Sequence, residues 1–317
     1  LVDHRENSVF LCHQELFELK TAVTNLHPCV GDILDHERMR RLFEQHRPEF
    51  VYHAAAHKHV GLMELNAGEC IKNNIFGTKY IADLSLDFEV EKFVQISTDK
   101  AVNPTSVMGA TKQIAERYIH AIGQGKKRTA FIVVRFGNVL GSNGSVVPIF
   151  KQQIARGGPI TITDERMTRF FMTIPEASQL VIQAASMGQG GEIFVLEMGE
   201  QVKVLQLAKE MICLAGLPED AIDVQFVGMR PGEKLYEELY FEDEEMMETD
   251  HPKIRAAYHR PYQVRDILEV ITSLESLVGR SNNEVRRKLK EIVPEFNWHP
   301  GSTIAGGNTQ DAFLNQS

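Results

Sequence analysis

Short apolar runs alternate with stretches whose apolar residues recur every three or four positions. The chain opens on Leu1-Val2-Asp3-His4, read as a strand end closing on an acid. Val9, Phe10, Leu16, Phe17 and Leu19 then predict the apolar side of a helix over residues 6–21. Residues 27–30 read as a short strand, followed by Gly31-Asp32-Ile33 and a helix over 36–46. A buried strand at 50–53 runs into Ala54-Ala55-Ala56, whose small side chains let the backbone approach a ligand closely. A helix over 67–86 carries Asn73, Asn74 and Gly77-Thr78. Strands at 92–96 and 130–135 follow, with helices after Pro104 and over 146–156. Strand and helix alternate up to the breaker Gly157-Gly158-Pro159, which predicts a parallel, doubly wound α/β sheet.

The second half is more mixed. Residues 160–163 form an expected strand, Pro175 opens a helix, and 192–196 is a strand. An amphipathic helix over 203–215 and a strand over 221–227 lead to Gly228-Met229-Arg230-Pro231-Gly232-Glu233-Lys234. The acidic run 242–250 reads as a solvated loop, and 263–277 and 283–292 as helices. From Asn297 the chain is rich in Gly, Ser, Asn and Thr, the composition of a disordered tail.

The chemistry concentrates at one strand end. The apolar strand at 92–96 empties into Ser97-Thr98-Asp99-Lys100, and the next helix carries Met108 and Lys112 on one face, four residues apart. A strand end facing a helix start is where open parallel sheets build their sites. With Ser-Thr-Asp-Lys-Ala-Val-Asn-Pro and Met-Gly-Ala-Thr-Lys, the stretch resembles the extended short-chain dehydrogenase/reductases, with Met108 where the family tyrosine stands. It looks in particular like the UDP-N-acetylglucosamine 4,6-dehydratases of bacterial polysaccharide biosynthesis, in the branch that carries this methionine. The similarity runs from Leu1 to about Phe296.

That resemblance implies a Rossmann-like sheet with a smaller mixed α/β substrate-binding region. It divides the chain into a dinucleotide-binding domain at 1–158, to which 173–199 returns, and a substrate region at 159–172 and 200–278. A C-terminal helix and flexible tail occupy 279–317. The implied cofactor is NAD, with NADP open, held by Asp3, Asp32, Ile33, Ala54, Ala55, Ala56 and Lys112. Asp3 fits the strand-end acid that takes the adenosine ribose. The implied substrate is a UDP-N-acetylhexosamine, against Lys58, Asn74, Asn138, Arg169, Arg230 and Glu233. An arginine fork suits a diphosphate and a carboxylate suits ribose hydroxyls.

The implied reaction oxidises the sugar at C4, loses water across C5 and C6, and returns the hydride at C6. The catalytic set is Thr98, Asp99, Lys100, Met108 and Lys112. Thr98 would hydrogen-bond the C4 oxygen, and Asp99, if protonated, would give a proton to the C6 hydroxyl. Lys100 would take the C5 proton, provided its pKa is lowered by burial or a neighbouring positive charge. A thioether cannot take the C4 hydroxyl proton, and water, Asp99 and Lys100 remain alternatives. Two other readings stay open: a sugar 4-epimerase of the same fold, and a catalytically silent nucleotide-sugar-binding fragment.

Composition narrows the partners. A net charge of −9 and the lack of a basic run argue against nucleic acid. Cys12, Cys29, Cys70 and Cys213 have no metal-type spacing and fit reduced cysteines in the cytoplasm, and no metal is expected at His53, His57 and His59. No run approaches the ~18 apolar residues of a membrane span. No glycine-rich phosphate loop precedes Asp3, and Gly301–Gly307 lacks a strand before it and a helix after it. A first strand and that loop are therefore expected upstream of Leu1. The resemblance to the methionine-bearing branch further implies a membrane-anchored region before Leu1, which would place the domain on the cytoplasmic face of the inner membrane. Without the first strand, the sheet should have a gap in its middle, and the chain from Leu1 is expected neither to bind NAD tightly nor to fold as a stable monomer. A homo-oligomer is expected.

Overall fold

The computed structural model describes residues 1–18, 25–125, 128–142, 144–258 and 262–298. In chain order the first half comprises β1 (Val2–Asp3), α1 (Glu6–Glu18), β2 (Cys29–Val30), α2 (His36–His46) and β3 (Phe50–His53). It continues through α3 (Val60–Leu65), α4 (Ala67–Ile71), α5 (Thr78–Asp87), β4 (Lys92–Thr98), α6 (Val107–Gly123) and β5 (Ala130–Phe136). Next come β6 (Asn138–Val139), α7 (Val146–Ala155), β7 (Ile160–Ile162), β8 (Thr168–Arg169), β9 (Phe171–Met172) and α8 (Ile174–Met187). The remainder is β10 (Glu192–Leu196), β11 (Val202–Lys203), α9 (Val204–Leu214), β12 (Val224–Phe226), β13 (Glu245–Glu248), β14 (Ile254–Tyr258), α10 (Val264–Glu275) and α11 (Asn282–Ile292).

The main sheet has the order β13-β14-β10-β5-β4-β3. β3, β4, β5 and β10 are parallel, as the strand–helix alternation predicts, and β14 and β13 extend the sheet antiparallel. Alternation along the parallel strands sorts the core onto two faces. Phe93, Phe131 and Val133 face a layer built from α2, α6, α10 and α11, while Val94, Ile132 and Val134 face α8. A third core joins α7, β7 and α9 through Phe150, Ile160, Ile162, Ala208 and Ile212.

β1 and β2 form a separate parallel pair, and β3 ends the main sheet with Phe50 and Tyr52 exposed. No hydrogen-bonded pairing joins β1 or β2 to the main sheet among the described residues. Among the described residues, no helix is long and apolar enough to cross a membrane.

Several elements depart from the sequence reading. α1 buries only Val9, whereas Phe10 and Phe17 are 58% and 74% exposed, because the helix meets little beyond β1 and β2. Leu19, Thr21 and the tail beyond residue 298 lie outside the described residues. The helix read over 67–86 is α4 and α5 joined by a π-helical turn, Lys72–Gly77. The acidic run 242–250, read as a solvated loop, contributes β13 and buries Glu244. Residues 245–258, grouped with the substrate region by the sequence reading, add two strands to the main sheet.

Glu244 is inside because Arg135 is. The Arg135 guanidinium, on β5, pairs with Glu116 of α6 at 2.9 Å and with Glu244 at 2.9 Å, all three buried. It also donates to the Leu239 carbonyl at 3.2 Å, so sheet, helix and following loop share one cation. Removing that cation leaves two buried carboxylates unpaired. Arg135→Ala is expected to lower unfolding free energy by about 3–5 kcal/mol in a urea titration. A loss below about 1 kcal/mol, the range of exposed pairs, would show that water reaches these groups.

Candidate active site

A cavity of about 670 Å³ opens at the carboxyl ends of β3, β4 and β5. Its wall includes Ala54, Ala56, Lys58, Thr98, Lys100, Met108, Lys112, Asn138, Arg169, Arg230, Glu233 and Glu237. Most of the predicted site residues therefore meet at one place. Asp3, Asp32, Ile33, Ala55, Asn74 and Asp99 lie off its wall.

The site is built by a close approach. β4 ends in a tight turn at Asp99–Ala101, and the first turn of α6 lies directly against it. A Cβ at Gly109 would collide with the Lys100 carbonyl oxygen. The start of α6 is fixed by two side chains: Ser106 Oγ accepts from Gly109 N at 3.0 Å, and Glu64 Oε1 accepts from Val107 N at 2.7 Å. This brings Met108 and Lys112, one helical turn apart, against the end of β4. Met108 is buried, part core and part cavity wall.

Lys112 donates Nζ to the Ile96 carbonyl at 2.7 Å. Burial lowers this ammonium to about 8, with Glu116 opposing. Lys100 behaves otherwise. Its Nζ lies 3.0 Å from Asp99 Oδ1, 3.0 Å from Asn138 Oδ1 and 3.7 Å from Glu237 Oε1. Burial pulls its pKa down, but Asp99 and Glu237 outweigh burial and the nearby Arg169, so the net shift is upward. The lowering asked of Lys100 by the sequence reading is thus reversed, because two carboxylates surround it.

Asp99 is fully buried and reaches the cavity only through its neighbours. Thr98 Oγ1 donates to its Oδ1 at 2.8 Å, and Lys100 Nζ shares the same oxygen. Asn74, placed against substrate by the resemblance, is also fully buried and its capacity is spent. It accepts from His57 N at 2.8 Å and donates to His57 O at 3.1 Å and Thr111 Oγ1 at 3.1 Å. It therefore holds the loop after β3 from the π-helical turn, a feature frequent at functional sites.

Arg169 lines the cavity, but its N–H groups serve backbone carbonyls. It donates to Thr168 at 2.7 Å, Lys234 at 2.8 Å and Leu235 at 3.3 Å, with Nε 3.6 Å from Glu237. Arg169 thus fixes the segment that follows the Arg-Pro-Gly-Glu-Lys motif. That segment is tied to the turn after β4 by Thr105 to Gly232 O (2.9 Å) and Lys234 Nζ to Val102 O (2.8 Å). Arg230 and Glu233 stay on the cavity wall, Glu233 accepting from Arg230 N at 3.4 Å. Lys58 is exposed at the cavity rim, its pKa lowered by partial burial and by Arg5.

Toward the β1–β2 pair, Asp3 Oδ1 accepts from Arg5 N at 2.7 Å, a strand-end turn. Asp32 Oδ1 accepts from Leu34 N at 2.9 Å, and Ile33 packs on the π-helical turn at Gly77. His53 is buried, 2.9 Å from Thr78 Oγ1, and His59 lies against Gly144.

Glu237 is the residue that the sequence reading missed. It is buried on the cavity wall, and burial raises its pKa against the pull of Lys100. Its only signal is position, three residues after Lys234; the adjacent Glu238 is exposed, and nothing in Leu-Tyr-Glu-Glu-Leu-Tyr separates the two.

The family model described as polysaccharide biosynthesis protein matches residues 1–259. The capsular polysaccharide biosynthesis protein CapD of Staphylococcus aureus is 52% identical over 92% of this chain and 48% of its own length. The chain thus spans about half the length of that relative. The UDP-N-acetylglucosamine 4,6-dehydratase (inverting) of Campylobacter jejuni is 36% identical over 77% of this chain and 72% of its own. The UDP-glucose 4-epimerase of Rickettsia rickettsii is 35% identical over 75% and 68%. The X-ray structure of Pen from Bacillus thuringiensis superimposes with a TM-score of 0.72 at 32% identity, covering 86% of this chain and 88% of that one.

Two outcomes follow from this geometry. Gly109→Ala is expected to cost about 1–3 kcal/mol, because backbone must move at the Lys100 carbonyl; an unchanged urea midpoint would mean the approach relaxes freely. Burial, helped by the Lys112 charge, lowers His53 from its ordinary 6.5 to about 3. The unfolded chain therefore takes up this proton first, and stability is lost as pH falls from 6.5 toward 3. The parent should lose more of its urea midpoint than His53→Gln between neutral pH and about 4.5, within the titration range of an unfolded histidine. Parallel losses would show that His53 does not titrate this way.

Proposed function

The chain belongs to the polysaccharide biosynthesis protein family, and we propose that it acts as a nucleotide-sugar 4,6-dehydratase on a UDP-N-acetylhexosamine, UDP-N-acetylglucosamine first among them. The product would be a 4-keto-6-deoxy sugar for surface polysaccharide. The observation that carries this reading is the Thr98–Asp99–Lys100 cluster. It puts an amine and a hydroxyl on the cavity wall, both hydrogen-bonded to one buried carboxylate. An elimination needs such an acid–base set; a simple epimerisation does not.

The residues present fit a nicotinamide dinucleotide. The loop after β3 presents Ala54 and Ala56 to the cavity, Lys112 stands at its floor, and Asp3 closes β1 with its carboxylate half-exposed. When bound, this group would supply hydride removal at C4 and its return at C6. Lys112 would hold the nicotinamide ribose, Asp3 the adenosine ribose, and Asp32, Ile33 and Ala55 the adenine side.

On the sugar side, Arg230 is the cation for the diphosphate, since Arg169 is committed to backbone carbonyls. Glu233 takes ribose hydroxyls, and Lys58 and Asn138 flank the sugar. Asn74 acts one layer behind by fixing the loop that carries Lys58. Thr98 hydrogen-bonds the C4 oxygen. Lys100, once free of its proton, takes the proton from C5, which the C4 keto group has made acidic. Asp99, in its protonated form, supplies the proton for the leaving C6 hydroxyl, and the Thr98 hydroxyl 2.8 Å away relays it, passing on its own hydrogen as it takes that of Asp99. Met108 packs the floor and carries no proton.

The test uses UDP-N-acetylglucosamine and NAD with the chain, preceded by the upstream strand and glycine loop that the sequence leads one to expect. Mass spectrometry should find a product lighter by one water. Lys100→Ala should slow its formation by about 10²–10⁴, the usual worth of a positioned base. Unchanged mass with altered configuration would make the chain an epimerase, as the Rickettsia relative is named, and no conversion would leave a binding fragment.

A further inference from the structure

Lys100 is enclosed by charges from segments far apart in sequence. Asp99 adjoins it on the turn after β4, at 3.0 Å. Glu237 comes from the segment behind the Arg-Pro-Gly-Glu-Lys motif and lies 3.7 Å away. Arg169, from β8, faces the same Glu237 oxygen at 3.6 Å, and Lys234 adds positive charge near Glu237.

The two carboxylates are not equivalent. Asp99 Oδ1 is shared between Thr98 and Lys100, and Asp99 stands off the cavity wall. Glu237 stands on the wall, its Oε1 between two cations and its buried Oε2 without a hydrogen-bond partner. Arg169 cannot follow Glu237 if it moves, because Thr168, Lys234 and Leu235 hold its other nitrogens.

We propose that Glu237 is a positioning residue that holds Lys100 as the ammonium in the resting site and frees its amine by taking up the proton. As the 3.7 Å separation shortens, a Lys100 N–H bond breaks and an O–H bond forms on Glu237. Both charges disappear, and the electron pair left on Lys100 Nζ is the one that C5 deprotonation needs. That last step rests on the dehydratase reading; the coupling between the two groups does not. The upward pKa shift of Glu237, caused by its burial, is in the direction the transfer requires.

The experiment follows acetylation of Lys100 by acetic anhydride against pH, read by peptide mass spectrometry, with Lys209 on α9 as internal reference. Glu237→Gln imitates the protonated carboxyl. It should move the Lys100 labelling midpoint to lower pH by about one unit or more, roughly tenfold faster labelling at a fixed pH below the midpoint. Glu237→Asp should move it less, in the same direction, and carries the test if the Gln variant does not fold. Lys209 should not move. A Lys100 midpoint unchanged in a folded variant overturns the proposal. Labelling needs no turnover, so the two readings fail separately. Water loss by the parent with an unmoved midpoint sinks only this inference, and a moved midpoint without water loss sinks only the dehydratase reading.

Discussion

The site depends on how closely α6 approaches the end of β4. Side chains at 98–100 and at 108–112 come from segments whose backbones touch at Gly109 and the Lys100 carbonyl, where no Cβ fits. Any residue with a Cβ at 109 would push the helix away and carry Met108 and Lys112 with it. The approach is held from outside as well. Glu64 caps α6 through Val107 N and binds Arg286 of α11 at 3.0 Å, so α11 braces α6. α6 is buried on nearly every face as a result.

Charge is handled in two ways on the two sides of this helix. Arg135 with Glu116 and Glu244 is a buried set in which every member is paired, and it ties structure together. The Lys100 cluster has a similar inventory, but Asp99 Oδ2 and Glu237 Oε2 are left without partners. Orphaned buried oxygens are costly. The two clusters therefore differ in what remains unsatisfied.

Much of this was legible in the sequence, for a physical reason. Parallel strands are apolar runs, helices repeat every 3.6 residues, and site residues cluster at strand ends, all local signals. Thr98, Lys100, Met108 and Lys112, read from a strand end and the helix facing it, meet at one cavity with Asn138, Arg230 and Glu233, which the resemblance implied. What could not be read depends on partners distant in sequence. Asn74 looks like a ligand contact until His57 takes both ends of its amide. Arg169 looks free until Lys234 and Leu235 claim it. β13 looks like an acidic loop because the cation that buries Glu244, Arg135, lies 109 residues away. Likewise the pKa of Lys100 could be reasoned from burial, but not from a glutamate 137 residues away whose placement only the fold determines.

The methionine at 108 becomes intelligible in this setting. A tyrosine there would bring a hydroxyl to a buried wall, and a buried hydroxyl needs a partner. Met108 is unbranched and apolar, so it fills the floor without making that demand. Beside it, Thr98, Asp99, Lys100 and Glu237 are coupled to one another by hydrogen bonds and charge. Glu237 comes from the segment that also carries Arg230 and Glu233, and that segment is pinned to the β4 turn through Gly232 and Lys234. The motif and the residue that sets the charge around Lys100 therefore share one pinned stretch of backbone.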